Sequence, residues 1–384
     1  MPTRHYYILI ISFLLAIGVS TCRQAYAPPA VTTPNRFLVV DGFINISPNS
    51  ITTFNLNRTR NLGDSTVTGI PELNAVASIV SSSGASYPLT DTGNTGIYSS
   101  APLNLDITQR YSIAITTSDG QKYSSDPVPC KQTPPIDSLY WQQPSDLTIY
   151  VNTHDPTGNT RYYRYDYQET WEHDAELSTP WIVVNDTLQA ADSTNQKAQC
   201  WNTAPSTNII LATSVALAQD VIVAFPVETI PLGDARVDIG YSILVRQYAM
   251  TEDAYNYWLL IQKTTQNVGT LFDIQPTQLI GNIHCLTNPS APVIGFISVS
   301  SVQQQRINIY PSSLSDNWTH NSPGLNCNTI EIGYNPSDFP VFSYPDTSYG
   351  PYYFNGPDSL VLAPSFCTNC LYFGGTTTKP SFWP

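Results

Sequence analysis

Between Asp166 and Glu176 the chain concentrates carboxylates: Asp166, Glu169, Glu172, Asp174 and Glu176, with His173 among them. Such a set has two familiar chemical uses. A pair of carboxylates can divide the acid and base work of glycoside hydrolysis, and a group of them can ligate calcium. A calcium loop needs a glycine at its turn and alternating oxygen donors, and here Trp171 and Ala175 interrupt the series. A strand followed by a solvated acidic loop accounts for the same residues without a reaction. Overlapping them is the aromatic run Tyr162-Tyr163-Arg164-Tyr165-Asp166-Tyr167, followed by Trp171. On a strand Tyr163, Tyr165 and Tyr167 share one face. With Trp171 they form a candidate platform for a sugar ring or a peptide side chain, although such rows more commonly pack a sandwich core. The chain has no G-x-S-x-G, H-E-x-x-H, P-loop or G-x-G-x-x-G motif. No catalytic residue, cofactor or metal site is therefore assigned.

Cysteine chemistry separates into two groups. Cys22 follows Val19-Ser20-Thr21, directly after the apolar run Ile8–Val19. That run is shorter than the about 20 residues needed to span a bilayer, and it reads as the h-region of an export signal. Small residues before a Cys resemble a bacterial lipobox, with Thr21 a departure from the usual Gly, Ala or Ser. On this reading residues 1–21 are a lipoprotein signal peptide. Cys22 becomes a lipid-bearing N-terminus, and residues 22–36, with the Pro-rich stretch Ala25–Pro34, form a tether. Cleavage after Ala25-Tyr26-Ala27 is the alternative, and it would leave Pro28 at the first mature position. Six cysteines remain: Cys130, Cys200, Cys285, Cys327, Cys367 and Cys370. In an exported chain three disulfides are expected, with the pairing open. Cys367-x2-Cys370 could be half of a zinc site, but no second C-x-x-C accompanies it.

Short strands must position these residues. Phe37–Val40, Ile51–Leu56 and Ala75–Val80 lead to Tyr111, Ile113 and Ile115, which alternate with polar neighbours at the strand period. Asp119-Gly120 supplies a hairpin turn into Gln121–Ser125. Leu105-x5-Tyr111 resembles the tyrosine corner of immunoglobulin-like sandwiches. An N-terminal immunoglobulin-like β-sandwich is thus expected over 37–129, with a Pro-rich boundary near 127–135. A larger β-rich domain over 136–384 follows. It carries one conspicuous helix near 252–268, capped by Thr251 with Glu252 and Asp253 in its first turn. Tyr255, Trp258, Leu259 and Gln262 fall on one face, and Gly269 is a plausible stop. The Pro-, Tyr- and Gly-rich tail from Asn335 reads as a loop region pinned by Cys367 and Cys370.

Composition agrees with a mainly β, extracytoplasmic protein. At 384 residues the chain is long enough for two or three domains. Its 16 basic against 29 acidic residues give a net charge of −13, which excludes a nucleic-acid partner held through phosphates. Charged residues are only 12 % of the chain while Pro and Tyr number 31 and 24, so the polar surface rests on hydroxyls and amides.

Several blocks in order carry a family resemblance: Phe37-Leu38-Val39-Val40-Asp41-Gly42, Tyr162-Tyr163-Arg164 with Glu169-Thr170-Trp171, and Cys200-Trp201. They continue with Tyr241-Ser242-Ile243, Glu252-x-x-Tyr255-x-Tyr257-Trp258, Phe272-Asp273-x-Gln275-Pro276 and Gly281-Asn282-Ile283. Cys367-x2-Cys370, Gly374-Gly375 and Lys379-Pro380-x-Phe382-Trp383 close the series. Together they resemble the Bacteroidota outer-membrane lipoprotein family known as domain of unknown function 4249. The resemblance implies a lipid on Cys22, an N-terminal immunoglobulin-like region and a gene frequently placed beside that of a TonB-dependent outer-membrane receptor. It brings no catalytic or ligand residues with it. The expected function is a non-enzymatic accessory or ligand-capture lipoprotein of the outer membrane, on its periplasmic or surface face, serving such a receptor in nutrient uptake. The alternative is a free-standing carbohydrate- or peptide-binding module using the Tyr163–Trp171 aromatics. A hydrolase using Glu169 and Glu172 is the third reading.

Overall fold

The computed structural model describes residues 36–60, 69–184, 187–192, 196–266, 280–315, 318, 325–333 and 348–384. The signal segment, Cys22 and the tether up to Asn35 lie outside the described residues, as do Gly269 and the Phe272–Pro276 block. In chain order the first strands are β1 (Leu38–Gly42), β2 (Ile44–Asn45), β3 (Thr53–Arg58), β4 (Ile70–Pro71), β5 (Val76–Ser81), β6 (Ser86–Leu89), β7 (Ile97–Ser99), β8 (Arg110–Thr116), β9 (Lys122–Ser125) and β10 (Val128–Pro129). Next come β11 (Ile136–Gln142), β12 (Leu147–His154), β13 (Tyr162–Asp174), β14 (Trp181–Val184), β15 (Thr187–Ala190), β16 (Gln199–Pro205), β17 (Ile210–Thr213), β18 (Val221–Ile230) and β19 (Gly240–Ala249). Helix α1 (Glu252–Thr265) precedes β20 (Ile283–Cys285), β21 (Val293–Ile294), β22 (Val299–Ser300) and β23 (Val302–Ile309). The chain ends with β24 (Ile330–Gly333), β25 (Tyr349–Phe354), β26 (Ser359–Pro364) and the single turn α2 (Ser365–Thr368).

The first module is a sandwich of two sheets ordered β21-β1-β3-β4, with β7 also on β3, and β20-β9-β8-β5-β6, with β10 also on β8. Period-two sequence builds it: β5 and β8 bury alternate residues, Ala77 and Ile79 from one and Tyr111, Ile113 and Ile115 from the other. These meet Leu38, Val40, Phe54 and Leu56 in one core. Asp119-Gly120 makes the expected turn, with Gly120 at φ 82°. The Tyr111 hydroxyl donates to the Asp106 carbonyl at 3.0 Å, the hydrogen bond of a tyrosine corner.

Both sheets are completed by chain from far downstream. β20 pairs antiparallel with β9, β21 parallel with β1, and β22 parallel with β2. Ile283, Val293, Ile297 and Val299 join the same core. Buried Asn282 stitches the returning segment together, donating from Nδ2 to the Ile297 carbonyl at 3.0 Å and accepting the Ile297 N–H at 2.8 Å. Gly295 has φ 143°, and a Cβ there would sit 2.2 Å from the Val40 carbonyl oxygen. Only glycine fits that close approach. The Gly281-Asn282-Ile283 block is thus a piece of the first sandwich placed late in the chain.

In the second module the sheet β11-β12-β18 packs against β16-β13-β19-β23, with β17 extending the β13 edge beside β16. Leu147, Ile149 and Val151 face Tyr241, Ile243 and Val245 in its core. Helix α1 has its cap at Thr251, whose Oγ1 accepts the Ala254 N–H at 3.3 Å. It ends at Thr265, short of the expected 268. The predicted face is half-buried, and the deepest contacts are Ala254 and Tyr257. Tyr257 stacks on Phe296 of the returning segment at 5.2 Å, while Trp258 covers the Arg164 guanidinium of β13 at 4.2 Å. The helix thereby ties both modules into the compact unit Phe37–Pro384.

The tail contains regular structure where a loop region is expected: β25 and β24 flank β26 in a small sheet. Trp181 of the β14–β15 hairpin packs edge-on against Phe354 at 5.0 Å.

Candidate functional site

The aromatic row does not form an exposed platform. Tyr163, Tyr165 and Tyr167 are 0, 0 and 5 % exposed, because β13 is an inner strand whose odd-numbered face is covered by the β11-β12-β18 sheet. Tyr163 donates its hydroxyl to Asp220 at 3.0 Å, Tyr165 stacks on Phe225 at 5.6 Å, and Tyr167 donates to Glu228. Trp171 packs half-buried against the same core.

The acidic cluster likewise comes apart into separate bonds. Asp166 pairs with Arg246 on the adjacent strand. Glu169 receives both oxygens' hydrogen bonds from Arg236 Nη1, at 2.9 and 2.7 Å, and the Tyr241 hydroxyl at 2.9 Å. Arg236 also holds Asp234 at 3.0 Å and lies 3.7 Å from Glu228. Burial, with the Glu169 charge nearby, pushes the Glu228 carboxyl up despite the Tyr167 hydrogen bond. For Asp234 burial also acts upward, but the hydrogen bonds from Arg236 outweigh it and hold the carboxyl low. Three carboxylates around one guanidinium, each already accepting hydrogen bonds from fixed donors, make a largely buried structural network. Its centre, Arg236, sits on a single 3-10 turn between β18 and β19 and carries no sequence signature beyond Asp234 two residues earlier.

Glu172 serves the C-terminus. At Glu169 and Thr170 both faces of β13 become buried, because the tail covers the second face there. Trp383 donates its indole N–H to Glu172 Oε2 at 3.1 Å, Gln199 donates to the other oxygen, and Trp383 lies edge-on to Trp201 at 6.5 Å. Phe382 stacks under Arg306 at 3.6 Å. Gly375, at φ 87°, lets Thr376 bridge Trp201, where a Cβ would approach the Trp201 carbonyl oxygen to 2.5 Å. The His173 ring nitrogen Nε2 contacts the Cys370 carbonyl at 3.1 Å. Asp174 is pushed up by burial and by Glu172, and Glu176 is exposed.

Among the described residues two disulfides are present, Cys200–Cys370 and Cys327–Cys367. The three-bridge expectation is corrected here: Cys130 and Cys285 are unpaired. Cys130 follows β10, which pairs with the Arg110 end of β8, whereas Cys285 ends β20 opposite Tyr123 of β9, and each makes only weak polar contacts. Cys130 Sγ is 3.4 Å from the Gln109 carbonyl, and burial pushes its thiol up to about 11. The zinc half-site also falls away, since Cys367 and Cys370 enter different bridges. Among the described residues no three His, Cys, Asp or Glu side chains are grouped to hold a metal ion, and no helix is long and apolar enough to cross a membrane.

What the sequence did not reveal is a cleft of about 890 Å³ at the junction of the modules. The linker Lys131–Pro135 forms its floor, and the turn Asp155–Thr160 and the loop Asn104–Ile107 form its walls. The floor is fixed. Thr133 N–H donates to Ser301 Oγ at 2.9 Å, Gln247 Nε2 to the Pro134 carbonyl at 2.8 Å, and Thr153 Oγ1 to the Pro135 carbonyl at 2.7 Å. Asp155 shapes one wall by accepting the N–H groups of Thr157, Asn159 and Thr160 at 2.9 to 3.1 Å. Pockets of this size accept ligands or peptide segments.

A family described as "Domain of unknown function (DUF4249)" matches residues 25–306. No curated protein matches the chain in sequence. Among solved structures, a DUF4785 family protein from Legionella pneumophila is similar at 10 % identity and a TM-score of 0.19. The alignment covers 55 % of this chain and 52 % of that one, so the chain spans about half the length of that relative, and at this score the likeness carries no argument.

Proposed function

This chain belongs to the DUF4249 family, and from that membership we propose that it is a non-enzymatic, lipid-anchored accessory protein of the outer membrane that captures a ligand or partner for a TonB-dependent receptor in nutrient uptake. The observation that carries this reading is the fixed cleft between two tightly joined modules, together with an acidic cluster whose members Asp166, Glu169 and Glu172 are committed to internal bonds elsewhere. Such a body is built for recognition. Val19–Cys22 after a short apolar run supports anchoring through acyl chains. Confinement to the membrane of the receptor would raise the local concentration of each partner, so a weak interface suffices.

The test is an affinity purification of the tagged full-length chain from detergent-solubilised outer membranes, alongside a Cys22→Ala variant. A TonB-dependent barrel recovered in near-stoichiometric amount with the wild type, and lost with the variant, is the expected result. Recovery of the wild type without any barrel, or palmitate labelling that persists in the variant, overturns it. The free-standing module reading passes from the buried tyrosines to the cleft, and a partner-free preparation that still binds ligand favours it.

A further inference from the structure

At the floor of the cleft the linker runs extended with one edge occupied and one edge open. Lys131 donates its N–H to the Val299 carbonyl at 2.9 Å and accepts the Ser301 N–H at 3.1 Å, a parallel bridge onto β22. Two residues on, Thr133 donates its N–H to the same side. Successive residues of an extended chain present their main-chain groups to opposite edges. Gln132 therefore turns its N–H and C=O away from β22, and neither finds a partner among the described residues. Gln132 is exposed and lines the cleft. Its neighbours offer no substitute, since Pro134 and Pro135 lack an N–H and their carbonyls are taken.

The surroundings narrow the chemistry. Asn104, Thr157 and Gln303 supply neutral hydrogen-bonding side chains, and Ile107, 48 % exposed, supplies an apolar wall. Both charged groups of the lining are engaged within the chain: Lys131 Nζ donates to the Asn159 carbonyl at 2.8 Å, and Asp155 closes its own turn. Among the described residues no aromatic side chain lines the cleft to stack on a sugar ring.

We propose that the cleft receives an extended, largely uncharged polypeptide segment of a partner protein, which pairs its main chain with Gln132 and rests an apolar side chain on Ile107. This is strand addition in miniature: main-chain hydrogen bonds hold the segment and one wall selects its side chain. The inference stands whether or not Cys22 carries a lipid.

The experiment displays a random dodecapeptide library on phage to the full chain in detergent, then titrates a synthesised winner by fluorescence anisotropy. Maltoheptaose serves as a neutral saccharide probe. Gln132→Pro, which removes the N–H, and Ile107→Glu are each expected to weaken peptide binding about tenfold, the worth of one net hydrogen bond or apolar contact. Gln132→Ala, which keeps the main chain, and Val223→Glu, on an exposed strand elsewhere, are expected to leave it unchanged. Thermal unfolding verifies each variant, and Ile107→Glu carries the test alone where Gln132→Pro fails to fold. Failure to enrich any peptide overturns the proposal. So does a winner indifferent to Ile107→Glu, or maltoheptaose binding that Ile107→Glu abolishes in the absence of peptide binding.

Discussion

The indole N–H of Trp383 donates to Oε2 of Glu172 at 3.1 Å, joining the penultimate residue to a strand 211 positions earlier. The carboxylate first considered for hydrolysis is the acceptor that docks the end of the chain. Trp383→Ala removes a buried indole and strands the glutamate, and is expected to cost about 3–5 kcal/mol. Glu172→Ala costs less, and a double-mutant cycle should return a coupling of about 1.5–3 kcal/mol. Urea unfolding of the four proteins measures this, and additive effects would show that the two residues act independently.

Arg236 balances three carboxylates. Arg236→Met should destabilise by about 3–5 kcal/mol, because Glu169 loses its bidentate partner while remaining buried. Denaturant midpoints at neutral pH provide the measurement.

The same network predicts a pH dependence. Glu228 has a folded-state pKa raised above its ordinary value by burial, so its charge opposes folding. Its contribution to stability is fully present below the unfolded value near 4.5 and is lost as pH rises through the raised folded value. Asp234 runs the other way: its stabilising contribution is present above 3.8 and is lost as pH falls through its lowered value. Glu228→Gln keeps an acceptor for Tyr167 and removes the charge. The variant should be more stable than the wild type at pH 8, with the gap closing towards pH 4.5. A constant gap across that range would contradict the assignment.

Thiol labelling distinguishes the two bridges from the three expected. With reduction omitted, the denatured chain should take up alkylating reagent, among the six cysteines from Cys130 onward, at Cys130 and Cys285 alone, while Cys200, Cys327, Cys367 and Cys370 stay protected. Peptide mass spectrometry checks this. In the native state Cys285 is buried and Cys130 half-buried, so labelling at Cys130 should be the faster of the two and slow in absolute terms.

Adjacent core tyrosines should respond differently to losing a hydroxyl. Tyr163→Phe leaves buried Asp220 short of a donor and is expected to cost about 1–3 kcal/mol. The Tyr165 hydroxyl is buried without a partner among the described residues, so Tyr165→Phe should be neutral or stabilising. Equal losses would indicate an internal water at Tyr165.

Much of the local structure could be read from residue order. The alternation of Tyr111, Ile113 and Ile115, the Asp119-Gly120 turn and the Thr251 cap are short-range signals, and each appears as expected. The face of β13 was beyond such signals. Whether Tyr163 or Arg164 points inward depends on which sheet lies above the strand, and the burial of both faces at Glu169 and Thr170 depends on a tail over 200 residues away in sequence. Arg236 was missed because its role needs Glu169, Glu228 and Asp234 brought together from three elements. Residues 283–300 look like ordinary strands of the later half, and only pairing shows that they belong to the earlier one. The cleft is a product of that return, and its key groups are main-chain atoms, which side-chain types do not encode.

The late return of residues 283–300 also sets a timetable for synthesis. As the chain is made N-terminus first, β1, β2 and β9 emerge with open edges and wait for partners that arrive only after the whole of β10 to β19 has followed. Unpaired edges are aggregation templates. The newborn protein therefore has a vulnerable interval whose length is set by the speed of chain synthesis, and chaperones that shield bare strands should matter most during it. A chain cut at the linker would be held in that interval permanently.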